Sequence, residues 1–256
     1  MKVNLLNSAR RVLRIESEAV RRQIRHIGPD FSRAADRLDQ VTRRGGQVVV
    51  MGIGKSGLIG RKIAATLSST GTPAVFFHPA EGLHGDLGMI RGGDCMLILS
   101  ASGETDEIRK ILPVLKERKL ILIAMTGQKK SRLARFADHV IDCSVEQEAC
   151  QLNLTPTAST TAMIALCDAL AVALMEKRGF RPSDFARLHP GGALGKKLFM
   201  TVGEIMRKGK ENPVVKLGST VRQALLEMTR TRLGATHVTD RSGKLAGFFT
   251  DGDLRR

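Results

Sequence analysis

The sequence has no tryptophan and no tyrosine, and aromatic residues make up only 4% of it. The rings on which single-stranded nucleic acid stacks are therefore scarce. This matters because Lys and Arg outnumber Asp and Glu by 41 to 25, a net charge of +16, and such an excess invites a nucleic-acid partner. The charge is not gathered in one place. Residues 1–44 carry a net +6, residues 203–256 a net +5, and the middle the remaining +5. No helix-turn-helix is legible in residues 1–44. The excess reads as a basic solvated surface, with no nucleic-acid partner. Cysteine is sparse: Cys95, Cys143, Cys150 and Cys167 show no CxxC spacing and lie in or beside apolar runs. They read as reduced thiols of a cytoplasmic protein. Long apolar runs are lacking too. The longest, Ala162–Met175, is interrupted by Asp168 and is too short to span a bilayer. The first residues lack the apolar core of a signal peptide. No membrane partner is expected.

What the chain does have is glycine in particular places. Residues 47–60 run Gln-Val-Val-Val-Met-Gly-Ile-Gly-Lys-Ser-Gly-Leu-Ile-Gly. Val48–Val50 reads as a strand buried on both faces. Gly52 and Gly54 turn the chain, and Ser56 or Gly57 opens a helix. A strand, a glycine turn and a helix N-terminus make an anion site, with Lys55 in its middle. The P-loop pattern fails because it would need glycine at Val49. Gly52-x-Gly54-x-x-Gly57 fits the dinucleotide fingerprint, but the second strand, Ala74–Phe77, runs into His78 where an acidic ribose ligand is wanted. A sugar-phosphate pocket is the third reading.

Residues 2–26 read as an amphipathic helix with Val3, Leu6, Val12, Leu13, Ile15, Val20 and Ile24 on one side. A second helix follows from Asp30 to about Val41. Strands are expected over 48–52, 74–77, 95–100, 120–125 and 139–142, with helices between them. The result is an α/β three-layer sandwich around a roughly five-stranded parallel sheet. Ligands of such sheets bind beyond the carboxyl ends of the strands.

Those ends carry the chemistry-bearing residues. Ser100-Ala101-Ser102-Gly103-Glu104-Thr105 concentrates hydroxyls at a helix start, which suits a phosphate monoester, and it partly echoes Ser56–Ile63. His78-Pro79-Ala80-Glu81-Gly82-Leu83-His84 is a glycine-containing loop with ionisable groups. Two histidines alone are a weak metal signal. Glu146 and Glu148 precede a helix capped by Thr155 with Pro156 at its first position. This helix is apolar almost all round and is expected to be buried, partly by another subunit. Arg187–Gly195 is a further glycine-rich turn carrying His189.

Taken together, Gly52–Gly57, His78–Glu81, His84–Gly88, Ser102–Thr105, Glu148–Cys150 and Leu188–Gly192 resemble the D-arabinose 5-phosphate isomerases. Those enzymes have a sugar-isomerase (SIS) domain followed by paired CBS domains. The resemblance implies N-terminal helices over 1–44 packing on a SIS domain at 45–202, and a truncated first CBS repeat at 203–256. It implies interconversion of D-ribulose 5-phosphate and D-arabinose 5-phosphate, feeding synthesis of Kdo for lipopolysaccharide. Lys55, Glu107, Glu148 and His189 would be catalytic. His84 and the Gly71-Thr72 turn would contact substrate. His78 matches a position that holds an inhibitory zinc, while no cofactor is required. The resemblance further implies a homotetramer whose subunits complete each other's pockets, and a nucleotide or sugar-nucleotide ligand for a CBS module. Ser56, His78, Glu81, Ser100, Ser102 and Thr105 complete the expected substrate contacts.

Aldose–ketose isomerisation moves a proton between C2 and C1 through a cis-enediol and needs a carbon-proton base, oxygen-proton shuttles and a cation. Glu148 is the expected base, preferred over Glu107 because Glu107 is expected one turn inside its helix. His189 would shuttle oxygen protons, Lys55 would steady the enediolate, and Ser100, Ser102 and Thr105 would anchor the phosphate. The competing readings are a non-enzymatic SIS-type sugar-phosphate sensor and another SIS isomerase such as a phosphoheptose isomerase.

Overall fold

The computed structural model describes residues 4–192, 198 and 200–255. Val3 of the first expected helix, and the part of the expected turn at 187–195 beyond Gly192, lie outside the described residues. The chain divides into two compact units, residues 1–198 and 199–256.

In the first unit, α1 (Leu5–His26) and α2 (Pro29–Arg43) lead into β1 (Val48–Gly52), α3 (Gly54–Ser69), β2 (Ala74–Phe77) and the short α4 (Pro79–Gly82). Then come β3 (Cys95–Leu99), α5 (Asp106–Glu117), β4 (Ile121–Thr126), α6 (Arg132–Phe136), β5 (His139–Asp142), α7 (Ala158–Arg178) and α8 (Pro182–Leu188). All five strands are parallel, in the order β2-β1-β3-β4-β5. The sheet is the one expected from the buried apolar runs. Because side chains alternate across a strand, Val48 and Val50 join α2, α3 and α7 in one core, while Val49 and Met51 join α5 and α6 in the other. Helices thus cover both faces.

Two helices differ from expectation. On α1 the apolar stripe is not what is buried. Leu6, Leu13 and Ile24 are exposed, and the inward residues are Ala19 and Gln23. Gln23 Nε2 donates to the Ser144 carbonyl at 3.0 Å, which satisfies a buried amide that hydropathy counts as misplaced. Helix α7 starts at Ala158 rather than at Pro156, with Thr157 in the N-cap position. It is long and apolar enough to cross a membrane by composition alone. However, Ala162, Leu166, Cys167, Leu170 and Leu174 are buried in the core, which marks it as a core helix.

In the second unit, α9 (Val202–Ile205), β6 (Val214–Lys216), α10 (Val221–Thr231), β7 (Ala235–Thr239), β8 (Leu245–Thr250) and α11 (Asp251–Leu254) surround a three-stranded sheet. Strand β6 pairs parallel and β8 antiparallel to β7. With three residues, β6 is too short to show alternation in the sequence. Leu245 and Phe248 of β8 are exposed.

Candidate active site

Strand order reverses between β1 and β3, since β2 lies on one side of β1 and β3 to β5 lie on the other. A crevice opens at such a point beyond the strands' carboxyl ends. The observed cavity is there. It has a volume of about 250 Å³ and is lined by Ile53, Lys55 and Ser56 after β1, by Leu99–Ser102 and Thr105 after β3, and by Pro156, Ser159, Thr160 and Met163 around the start of α7. That is below the ~300–1,000 Å³ of sites for drug-sized ligands and suits a small metabolite.

The glycines of the β1–α3 turn are there for backbone contact. A Cβ on Gly52 would stand 2.9 Å from the Ser56 carbonyl oxygen, and one on Gly57 would stand 2.9 Å from the Gly52 carbonyl oxygen. Strand and helix therefore meet main chain to main chain at Gly52 and Gly57, and Gly54 has the left-handed φ of +57, which together account for the fingerprint without a dinucleotide. The helix begins earlier than expected, at Gly54, so Lys55 and Ser56 fall in its first turn. No acidic residue shares that turn, and Lys55 makes no ion pair among the described residues. A cation at the positive end of a helix dipole is unfavourable. Folding gives it no reason to be there.

Two of the three hydroxyls after β3 are bonded to each other. Ser100 is buried, its Oγ lies 3.1 Å from Thr105 Oγ1, and it accepts the Gly103 amide at 3.0 Å. Ser102 Oγ accepts the Glu104 amide at 3.2 Å. Thr105 holds the N-cap position of α5 without a side-chain capping bond, and its hydroxyl, bonded to Ser100, lines the cavity.

Glu148 lies beside the cavity without lining it. Its carboxylate accepts the Thr157 amide at 2.7 Å, the Thr157 hydroxyl at 3.1 Å, the Ser159 amide at 3.2 Å and the Ser159 hydroxyl in a short contact. It therefore caps the free amides of α7 from a preceding loop. Burial pushes this carboxyl up, but the bonds from Ser159 and Thr157 outweigh it and hold it below the ordinary glutamate value. Ser159 is thus a bridge, lining the cavity on one side and holding Glu148 on the other. Sequence patterning assigns it no role, although the hydroxyl run after Pro156 is a signal of the kind used for Ser100–Thr105.

Glu107 is the second residue of α5, in its first turn rather than one turn inside. Its carboxylate forms no ion pair or hydrogen bond among the described residues, whereas its neighbour Arg109 pairs with Asp106 at 3.0 Å. His189 closes α8. Its Nδ1 lies 2.9 Å from the Phe185 carbonyl, and its ring stacks on Phe185 at 3.9 Å. A carbonyl only accepts, so Nδ1 carries the proton and Nε2 is left open. His78, Glu81 and His84 follow β2, the edge strand. His78 Nδ1 is buried without a partner among the described residues, and Glu81 and His84 are exposed. Neither Glu107, His78, His84 nor His189 lines the cavity.

The structure does not bring the Gly71-Thr72 turn to this site. It precedes β2 and so lies at the amino edge of the sheet, opposite the cavity. A local packing role accounts for it: Arg178 donates to the Gly71 carbonyl at 2.7 Å, and a Cβ on Gly71 would meet the Phe180 ring at 2.9 Å. Nor do the residues present make a zinc site. Among the described residues no three His, Cys, Asp or Glu side chains are grouped to hold a metal, and His78 alone supplies one ligand where zinc takes four.

The cysteines are free. Burial pushes the Cys95 and Cys143 thiols up to about 12. Cys150 differs: amides of Thr155 and Leu154 donate to its sulfur at 3.2 Å, which lowers it.

Residues 42–173 match the SIS domain family and residues 202–256 the CBS domain family. Arabinose 5-phosphate isomerase KdsD of Pseudomonas aeruginosa is 52% identical over 254 residues, covering 99% of this chain and 77% of that protein. Arabinose 5-phosphate isomerase GutQ of Escherichia coli K12 is 50% identical over 252 residues, 98% and 78% of the two chains. Among solved structures, that of E. coli CFT073 c3406 in complex with arabinose 5-phosphate is 40% identical with a TM-score of 0.67, covering 73% of this chain and 97% of that one. With identity of this level running through both matched domains, the chain belongs to the arabinose 5-phosphate isomerase family.

Proposed function

We propose that the chain is an aldose–ketose isomerase that interconverts D-arabinose 5-phosphate and D-ribulose 5-phosphate, in the cytoplasm and for Kdo and lipopolysaccharide synthesis. The observation that carries this reading is the convergence, in one small cavity at the β1/β3 reversal, of a hydroxyl cradle, an unpaired lysine and the serine that holds Glu148. The phosphate would take the hydroxyls of Ser100, Ser102 and Thr105, leaving C1 and C2 toward Lys55 and Ser159.

From arabinose 5-phosphate, the base takes the C2 proton, the electrons move to give the cis-enediol, and a proton returns at C1 as the O2 hydroxyl becomes a carbonyl. Lys55 stabilises negative charge on the enediolate oxygens. Glu148 is the base. Held by four bonds it is a weak proton acceptor, and a sugar hydroxyl that draws on Ser159 would loosen it and raise its basicity. His189, with Nε2 open, is suited to oxygen-proton transfer. It and His84 would reach the cavity from neighbouring subunits of a homotetramer. The proton transfer needs no cofactor. In the second unit, a cleft of about 910 Å³ lined by Lys216, Ser219, Gln223, Asp240, Arg241 and Ser242 supports a nucleotide or sugar-nucleotide ligand.

The test is to incubate the protein with D-ribulose 5-phosphate and follow arabinose 5-phosphate by NMR. Its appearance is expected. Tight binding without turnover would favour the sugar-phosphate sensor, and turnover of a heptose phosphate in its place would favour a phosphoheptose isomerase.

A further inference from the structure

The edge of the sheet opposite the candidate active site carries a second charged cleft. Arg44 and Gly46 lie just before β1, Arg91, Gly93 and Asp94 just before β3, and Lys119 just before β4; together they line a cavity of about 280 Å³. These strands are adjacent, so the three approaches meet at one place. Among the described residues none of the three cations has an ion pair or a side-chain hydrogen bond. Their neighbours are paired: Arg43 with Asp39 at 2.9 Å, and Lys116 with Asp138 at 2.8 Å. One carboxylate, Asp94, shares the cavity and offsets one of the three positive charges, leaving an excess of two. Asp94 is buried, and its oxygens accept the Gln47 amide at 3.0 Å, the Arg91 amide at 2.9 Å and Gln47 Nε2 at 3.3 Å.

The cleft is built by close backbone contact. A Cβ on Gly46 would stand 2.3 Å from the Gly93 carbonyl oxygen and 2.9 Å from Val41 Cγ1, so only glycine lets the two turns meet. Lys119 has φ +56, a left-handed conformation disfavoured for a residue with a side chain and one that glycine or asparagine usually fills after a helix. Arg44 and Lys119 follow helix C-termini, where a cation is favourable. Arg91 lies in a turn, where no α-helix end favours its charge.

Three unpaired cations around one small concavity repel one another, and a multivalent anion relieves that repulsion. We infer that this cleft is a second binding site, for a small phosphate-bearing anion of the diphosphate class, separate from the sugar-phosphate cavity. Guanidinium groups suit it because they take phosphate oxygens in pairs. The concave shape favours a small molecule over a nucleic-acid strand, which needs an open groove. The inference does not rest on the isomerase reading.

The test is calorimetric titration of the full chain with pyrophosphate, inorganic phosphate and arabinose 5-phosphate in separate arms. Pyrophosphate is expected to bind more tightly than phosphate and to bind equally well when arabinose 5-phosphate is present. The double variant Arg91→Gln with Lys119→Asn is expected to weaken pyrophosphate roughly tenfold or more with an unchanged melting temperature. Asparagine is chosen because it tolerates the left-handed backbone. Should the double variant fold poorly, Lys119→Asn alone supplies the comparison, with a smaller loss of affinity expected. The inference is overturned if the wild type takes up no pyrophosphate at millimolar concentration, or if the variants bind it as the wild type does. It is also overturned if arabinose 5-phosphate displaces pyrophosphate, or if a single-stranded oligonucleotide binds more tightly than pyrophosphate and loses that affinity in the same variants.

Discussion

Lys55 occupies a position that helix energetics disfavour, the first turn of α3 with no carboxylate to offset it. Stability and activity should therefore separate there. Lys55→Gln is expected to leave the melting temperature unchanged or raise it, by the equivalent of ~0.3–1 kcal/mol. It should lower kcat by ~10²–10³, the cost of removing one stabiliser of an oxyanion. A melting curve and a progress curve on the same preparation check both. Glu148 combines the two roles. Its carboxyl is lowered in the fold, so what it contributes to stability is present above its unfolded value and is lost as pH falls through the folded one. Ser159→Ala removes one of the donors that lower it. The acid limb of kcat/KM is then expected to move to higher pH, with the basic limb unchanged. An unmoved acid limb would show that Ser159 packs the cavity wall without tuning the base.

At the scale of elements, α7 shows where sequence patterning stops. Its apolar run reads as too short for a membrane span, but the helix it forms, Ala158–Arg178, is long and apolar enough for one, and its interior residues decide for the core. Leu170 is fully buried, so Leu170→Ala is expected to cost ~2–5 kcal/mol in a denaturant titration of the wild type and variant. The strands are legible because a covered parallel sheet demands continuous apolar runs, as in Val48–Met51 and Cys95–Leu99. The start of α7 is not. Proline at the first helical position is a sound rule, but here Glu148 reaches forward from a loop, nine and eleven residues away in sequence, to cap Thr157 and Ser159. No local pattern encodes that contact. The inward face of α1 escapes patterning for a related reason: hydropathy favours Leu6 and Leu13, while the buried contact is made by Gln23 hydrogen-bonding to Ser144.

At the scale of the whole molecule, the parallel sheet separates the chemistry to its two edges. The carboxyl edge gathers Lys55, Ser100, Ser102, Thr105 and Ser159 into one cavity, and the amino edge gathers Arg44, Arg91 and Lys119 into another. The hydroxyl cradle and Lys55 are readable from motif and strand position. The separation of Gly71-Thr72 from the site follows only from topology, because a turn that precedes a parallel strand lies at the wrong edge. The central claim is that side chains at the carboxyl edge move a proton between C2 and C1. Its most direct test is NMR of arabinose 5-phosphate in D₂O with the wild type and Glu148→Gln. The wild type should form ribulose 5-phosphate and take up deuterium from solvent, and the variant, with its cap retained but its base removed, should be slower by ~10²–10⁴. Proton exchange and turnover at the wild-type rate in a folded Glu148→Gln variant would contradict the assignment of the base, and a wild type that binds the sugar but forms no ketose would contradict the claim itself.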